Sequence, residues 1–355
     1  MKKHLYSIFL CFLFVNFANA KSFEILNPID KSVYDDKFAT LSLKINDFSL
    51  QRVTILLNNF RKFEVNLGKY RDVYCISLDL RLGKNIIEVT SYKDNKKIDD
   101  QNISLYLRSE IFEGYNEEPT GYKKQFFHTT KHEKLCSSCH NMEPDFKALK
   151  TKVLKASDIA SRDLNILQNP EDSNCYTCHK KLTTRKNGHA PSVNFLCTEC
   201  HTGKTGEFNI DLKGKSKYIQ PDPIMSRCFS CHEGIEKRWM SNKSEHGPLR
   251  TGRCNKCHNP HSSANEFHLR KPIWKLCTTC HSEKAKGEHV IASFVKGKTH
   301  PTRGRPDPAR PGRELVCSGC HNPHGSNGIF LLRTEGQTAY SVCTRCHQYN
   351  SSVKK

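Results

Sequence analysis

"RCNKCHNPHSSANEFHLR" (residues 253–270) and "VCSGCHNPHGSNGIFLLR" (residues 316–333) are two copies of one unit. Each copy contains two cysteines, two histidines with a proline between them, and a closing phenylalanine, leucine and arginine. One mismatch stands out, because His268 of the first copy is replaced by Leu331 in the second. The repeated spacing indicates a recurrent binding unit, and the mismatch indicates that this unit does not need His268.

The first part of the unit, Cys-x-x-Cys-His, occurs eight times and accounts for sixteen of the eighteen cysteines. This pattern is typical of c-type haem attachment, in which two thioether bonds hold the porphyrin and the adjacent histidine is the proximal iron ligand. We therefore predict eight covalently bound haem c groups. The predicted thioether cysteines are Cys136, Cys139, Cys175, Cys178, Cys197, Cys200, Cys228, Cys231, Cys254, Cys257, Cys277, Cys280, Cys317, Cys320, Cys343 and Cys346. The predicted proximal ligands are His140, His179, His201, His232, His258, His281, His321 and His347.

Two other uses of cysteine were weighed against haem. A disulfide framework suits an exported, cysteine-rich chain, but it does not require a histidine after every pair. Zinc ribbons also use paired Cys-x-x-Cys, but two pairs already complete a four-coordinate site, which leaves the histidines surplus. Haem attachment accounts for all eight motifs.

The sixth position of each iron decides whether that iron carries electrons or binds substrate. Nine histidines remain outside His4 and the eight motifs, and we predict distal ligation by eight of them, with His268 as the spare. His128, His189 and His246 each lie eight residues before a motif, and His300 resembles the same element with an insertion. His261 and His324 are the second histidines of His-Asn-Pro-His, and His132 and His289 lie near motifs. The predicted distal ligands are His128, His132, His189, His246, His261, His289, His300 and His324. Ligation by Met142, Met225 or Met240 is then unnecessary.

The N-terminus has the pattern of a secretory signal peptide over residues 1–20. Lys2 and Lys3 precede an apolar stretch, and Ala18-Asn19-Ala20 forms a small-residue cleavage site. The apolar stretch is too short for a good membrane span. We expect an exported protein, periplasmic or extracellular at the cell surface, with no membrane span in the mature chain.

Residues 21–112 have the composition and spacing of a β-sandwich. Short runs rich in β-branched and aromatic residues alternate with turn signals, about seven strands in some ninety residues. The clearest runs are residues 38–45, 52–59, 62–67, 73–80, 85–92 and 102–108. Cys75 is predicted to be a buried free thiol. Residues 113–127 are predicted to be a linker.

Residues 128–355 are predicted to form a haem domain of loops and short helices, because few aliphatic side chains remain to build a core. Stacked haems would supply that core, and apolar spacing predicts helices only over residues 143–167 and 233–241. Each haem carries two negatively charged propionates, so most of the formal net charge of +20 is expected to neutralise the haems. We therefore expect no binding to nucleic acid.

Residues 128–350 resemble the multihaem c-type cytochromes with doubled Cys-x-x-Cys-His motifs, here an octahaem form. The resemblance is tightest over residues 246–281 and 300–347; after His201 the chain reads "TGKTGEF", which lacks the trailing Pro-His. It implies bis-histidine haems that carry electrons in respiration. It also implies redox partner proteins, in some relatives an outer-membrane conduit or a conductive filament. "FEILNPIDKSVYDD" and "GKNIIEVTSYKDNKK" resemble strands of bacterial immunoglobulin-like domains.

Two functional classes remain open at this point. An electron carrier needs no substrate site, and two imidazoles on every iron would give it low-spin haems. A multihaem reductase of the nitrite, hydroxylamine or tetrathionate type needs one open or lysine-bound haem. The sequence contains no Cys-x-x-Cys-Lys, and its histidines suffice to close every iron. We therefore favour the carrier, docked or spaced by its β-domain.

Overall fold

The chain forms two compact units in a computed structural model that describes residues 21–109, 111, 114–125, 127–128, 133–134, 136–142, 173–201, 223–286, 289, 300–334 and 338–347. The first unit contains the described residues up to Arg108 together with Glu118–Gln125. The second contains Ser109–Glu117 and the described residues after Gln125. None of the helices in the described part of the chain combines the length and the apolar character that a membrane span requires.

The first unit is built from β-strands, close to the segments that the sequence predicts. Its strands are β1 (Phe23–Asn27), β2 (Ser32–Tyr34), β3 (Phe38–Ile45), β4 (Arg52–Leu57), β5 (Arg61–Asn66), β6 (Val73–Asp79), β7 (Gly83–Lys93), β8 (Lys96–Leu107) and β9 (Lys123–Lys124). They form a three-stranded sheet in the order β1-β3-β6 and a six-stranded sheet in the order β5-β4-β7-β8-β2-β9. Most neighbours are antiparallel, but β2 pairs in parallel with β8 and β9.

One hydrophobic cluster joins the two sheets. Leu41 and Leu43 of β3 and Ile55 and Val89 of the larger sheet are all 0% exposed. Side chains alternate between the two faces of a strand, so each sheet buries one face and leaves the other polar. The first unit therefore has its own core.

Two expectations change in this unit. Cys75 is exposed, so the prediction that it is a buried thiol was wrong. On β6 the buried residues are Tyr74 and Leu78, which places Cys75 on the opposite face, where it lies 3.5 Å from the Ser42 hydroxyl. Part of the predicted linker 113–127 also belongs to the β-unit, because Lys123–Lys124 adds strand β9 beside β2.

The second unit contains only short elements in its described part. Its helices are α1 (Tyr176–His179), α2 (Ala190–Val193), α3 (Met225–Phe229), α4 (Glu233–Met240), α5 (Gly247–Arg250), α6 (Ile273–Cys280) and α7 (Cys317–Cys320). Its strands are β10 (Asn187–Gly188), β11 (Ser244–Glu245), β12 (Ser262–Ser263) and β13 (Gly325–Ser326), and short 3-10 turns connect them. Helix α4 confirms the helix predicted over residues 233–241, whereas the helix predicted over 143–167 lies outside the described residues.

Candidate haem-iron ligand sites

Each Cys-x-x-Cys-His motif closes on itself through one backbone hydrogen bond. In all eight motifs the histidine N–H donates to the carbonyl oxygen of the first cysteine, at 2.9–3.0 Å. This is the bond of a helical turn, and residues three and four positions apart on such a turn lie on the same face. The two cysteines and the histidine of each motif therefore point to one side, as attachment of a single flat group requires.

Seven of the eight proximal histidines lie opposite a predicted distal histidine. A metal-bound imidazole nitrogen lies about 2 Å from its metal and about 1 Å from its own ring centre, so two rings across one metal have centroids about 6 Å apart. The observed distances are 5.9–6.3 Å. The pairs are His128 with His179, His189 with His232, His201 with His261, His246 with His281, His258 with His324, His289 with His321, and His300 with His347. These gaps fit an iron held between two imidazoles.

The eighth proximal histidine is His140. The described residues give no such ring opposite it, and the predicted ligand His132 lies outside them. Seven of the predicted distal histidines are therefore found in pairs, and the partner of His140 stays a prediction.

The pairing follows a regular rule that the spacing did not reveal. A histidine placed before one motif faces the proximal histidine of the next motif. His189, for example, precedes Cys197 but faces His232, and His246 precedes Cys254 but faces His281. A histidine that follows a motif faces the proximal histidine of an earlier motif or of the next motif. The ligands therefore link separate motifs to each other.

Two short ribbons hold the linking histidines together. Strand β10 pairs with β12, and the His189 N–H donates to the His261 carbonyl at 2.9 Å. Strand β11 pairs with β13, and the His246 N–H donates to the His324 carbonyl at 3.4 Å. Each ribbon fixes the relative position of two histidines that are predicted to bind different irons.

Backbone carbonyls orient several of the rings. The Nδ1 atoms of His258 and His321 lie 2.7 Å from the carbonyl oxygens of Phe267 and Phe330. The Nδ1 of His189 lies 2.8 Å from the Pro260 carbonyl. A hydrogen bond from Nδ1 leaves Nε2 free for the iron and fixes the ring plane.

The closing Phe-x-Leu-Arg of the repeated unit now has a structural reason. Phe267 and Phe330 adopt left-handed backbone angles, with φ of 54° and 52°, which turn their carbonyls onto the proximal histidines. The Arg333 Nε donates to the Ser318 and His321 carbonyls at 2.9 and 3.1 Å. Sequence reasoning missed these orienting groups, although their recurrence in both copies was the available signal.

Partial burial favours the neutral form of several predicted ligand imidazoles. Burial lowers the pKa of His324 to about 4 and also lowers the pKa values of His189, His246 and His258. A neutral imidazole is the form that binds a metal, because the lone pair must be free.

Cysteines of successive motifs lie in contact. Without haem, the side chains of Cys175 and Cys197, of Cys228 and Cys254, and of Cys277 and Cys317 lie close enough for one thiol of each pair to have its pKa lowered by the other. Weaker electrostatic interactions join Cys200 to Cys228, Cys257 to Cys280, and Cys320 to Cys346. The second to eighth motifs are thus neighbours in space in the order of the sequence.

The spare histidine lies beside a ligand, not opposite a proximal histidine. The His268 ring meets His189 edge to face at 5.2 Å, and its Nδ1 lies 3.3 Å from the Asn187 carbonyl. That His268 is not an iron ligand stays a prediction.

Two comparisons with known proteins bear on the Cys-x-x-Cys-His motifs. A family model described as "Doubled CXXCH motif" matches residues 246–286 and 308–351. The chain is 29% identical over 190 residues to the multiheme cytochrome MtrA of Shewanella baltica (strain OS185). The match takes in 49% of this chain and 51% of that relative, so the chain spans about half of the relative's length. These two findings support a multihaem c-type cytochrome. Covalently bound haem c follows from the same evidence.

The β-unit has a weaker likeness among solved structures. Fibronectin(III)-like modules of Clostridium thermocellum CbhA match 24% of this chain and 94% of their own, at 14% identity and a TM-score of 0.20. A TM-score this low supports no conclusion about this chain.

Proposed function

We propose that this protein is an exported octahaem c-type cytochrome that carries electrons along bis-histidine haems. The observation that carries the proposal is the set of seven histidine pairs with centroids 5.9–6.3 Å apart. When bound, each haem supplies reversible one-electron chemistry at its iron. Two imidazoles per iron leave no position for a substrate, which favours electron transfer over catalysis.

Each residue then has a defined role. The sixteen motif cysteines form thioethers, and the eight motif histidines are proximal ligands. Seven distal ligands are those of the observed pairs. His132 is the eighth, because it is the one remaining predicted ligand and precedes His140 in the same segment.

The contacts between cysteines support an order for the electron path. Since the second to eighth motifs are spatial neighbours in sequence order, electrons would pass along the chain of haems in that order. The ribbons support this by holding ligands of different irons at fixed separations. Entry and exit would lie towards the two ends of the series.

The remaining parts have simpler proposed roles. Residues 1–20 act as the signal peptide, so the mature protein works in the periplasm or at the cell surface. Residues 21–112 form an immunoglobulin-like domain that spaces or docks the octahaem domain, residues 128–355, across the connection at 113–127. The partners would be redox proteins, including an outer-membrane conduit or further copies in a filament.

Ligand binding and turnover test the carrier against the reductase. The dithionite-reduced full-length protein should bind no carbon monoxide, and it should be fully reoxidised by a soluble ferric complex. With a reduced-dye donor it should not turn over nitrite, hydroxylamine or tetrathionate. Steady turnover of any of the three, with carbon monoxide bound to one haem, would replace the carrier with the reductase.

A further inference from the structure

Trp239 lies flat against one of the ligand histidines. Its ring centroid is 3.8 Å from that of His324, and the two planes differ by 12°. His324 in turn faces His258 at 6.1 Å, with planes 13° apart. The three rings therefore have nearly parallel planes, and only the separation of the two histidines is wide enough for a metal.

Among the described residues, the His324 ring lacks a hydrogen bond that several other predicted ligands have. His189, His258 and His321 each use Nδ1 to bond a backbone carbonyl. In the described part of the chain, His324 has a hydrogen bond at its backbone N–H, from which it donates to the Asn322 side chain at 3.2 Å, but none at its ring. A ligand imidazole without such a bond is free to rotate about its bond to the metal.

The indole is itself fixed in place. Trp239 lies near the end of α4 and packs against Phe229, with centroids 6.5 Å apart. Asn242 donates its side-chain N–H to the Trp239 carbonyl at 2.8 Å. The Lys243 N–H donates to the Asn327 side-chain oxygen at 2.9 Å. This bond ties the segment to the residue that follows strand β13, and β13 itself follows His324.

We propose that Trp239 is a positioning residue that sets the ring plane of His324 and shields this ligand from water. The inference rests on the proposed bis-histidine function. Stacking replaces the missing Nδ1 hydrogen bond, because a parallel indole resists rotation of the imidazole. Shielding matters because solvent exposure is one of the factors that set the potential of a haem.

The other repeat suggests the informative substitution. Trp239 stands seven residues before His246, and Leu182 stands seven residues before the equivalent His189. Trp239→Leu therefore gives this unit the residue that the other unit has at the equivalent position. Trp274, the second of the two tryptophans, is the matched control, because its ring packs on the Arg303 guanidinium at 3.9 Å and not on a ligand.

The test uses oxidised full-length protein loaded with haem, its haem content counted by intact mass. Electron paramagnetic resonance is sensitive to the angle between two axial rings, since parallel rings donate into the same iron orbital and crossed rings do not. In Trp239→Leu we expect every iron to stay low-spin. The intensity from haems with near-parallel axial rings should decrease by the amount of one haem. One haem should also have a lower reduction potential. Trp239→Phe should restore both, and Trp274→Leu should match wild type.

Unchanged spectra and titration in Trp239→Leu with eight haems bound would overturn the proposal, as would the same change in Trp274→Leu. Should the leucine variant bind fewer haems, Trp239→Met keeps the apolar volume without a planar ring and carries the same expectation. Failure of the bis-histidine proposal has a different signature, because high-spin iron would then be present in wild type.

Discussion

Replacing His261 with alanine should leave one iron in eight without its second imidazole. The His261 ring lies 6.0 Å from that of His201, with planes only 6° apart. Cys197, Cys200 and His201 are untouched, so haem attachment should be complete. The His261 backbone still accepts the His189 N–H, so the ribbon should also persist.

The size of the effect follows from the count of motifs. Intact mass should report eight haems, while electron paramagnetic resonance of the oxidised protein should show one eighth of the iron as high-spin. The reduced variant should bind one equivalent of carbon monoxide, because a histidine has been lost from one iron only.

His268→Leu is the control, since it changes a histidine of the same repeat to the residue found at Leu331. It should leave all eight irons low-spin and bind no carbon monoxide. The double variant His261→Ala, His268→Leu should match His261→Ala, which tests whether His268 takes over the vacant position. A wholly low-spin His261→Ala protein, or high-spin iron in His268→Leu alone, would refute this assignment.

Three further predictions concern stability. Leu41→Ala removes a side chain that is 0% exposed and should destabilise the β-unit by about 2–5 kcal/mol in calorimetric unfolding, whereas the exposed Lys44→Ala should have little effect. Burial raises the pKa of Asp35, but hydrogen bonds from its two basic partners lower it more. Its stabilisation should therefore be present at pH 7 and decrease as the pH falls from about 4 through the lowered pKa of Asp35, so Asp35→Asn should cost about 0.2–1 kcal/mol at pH 7 and progressively less in acid. Gly252→Ala should lower the melting temperature, because φ is +69° there and a Cβ would meet the Pro223 side chain at 2.9 Å.

The β-strands could be predicted because their signal is local. Strand β3 runs from Phe38 to Ile45, the segment expected from its run of β-branched, aromatic and other apolar residues. Within strands, apolar residues alternate between the two faces. The error at Cys75 came from preferring the usual burial of cysteine over that same alternation, which places it opposite Tyr74 and Leu78. Strand β9 was missed because two lysines have no strand signal and pair only where β2 offers a free edge.

Candidate haem ligands could be proposed from the sequence, but their pairing could not. Cysteine spacing and histidine content are local, whereas the partner of His189 depends on how the chain folds between motifs. Proximity in sequence would have assigned His189 to the motif at Cys197, yet its ring faces His232. Phe267 and Phe330 recur in both copies but were missed as orienting groups, because left-handed backbone angles are uncommon for residues with a bulky side chain.

Spin quantification of the oxidised full-length protein tests the central claim most directly. With eight haems counted by mass, the account predicts eight low-spin ferric irons and no high-spin signal in electron paramagnetic resonance. A high-spin signal that integrates to one haem or more would contradict it, because at least one iron would then lack the second histidine.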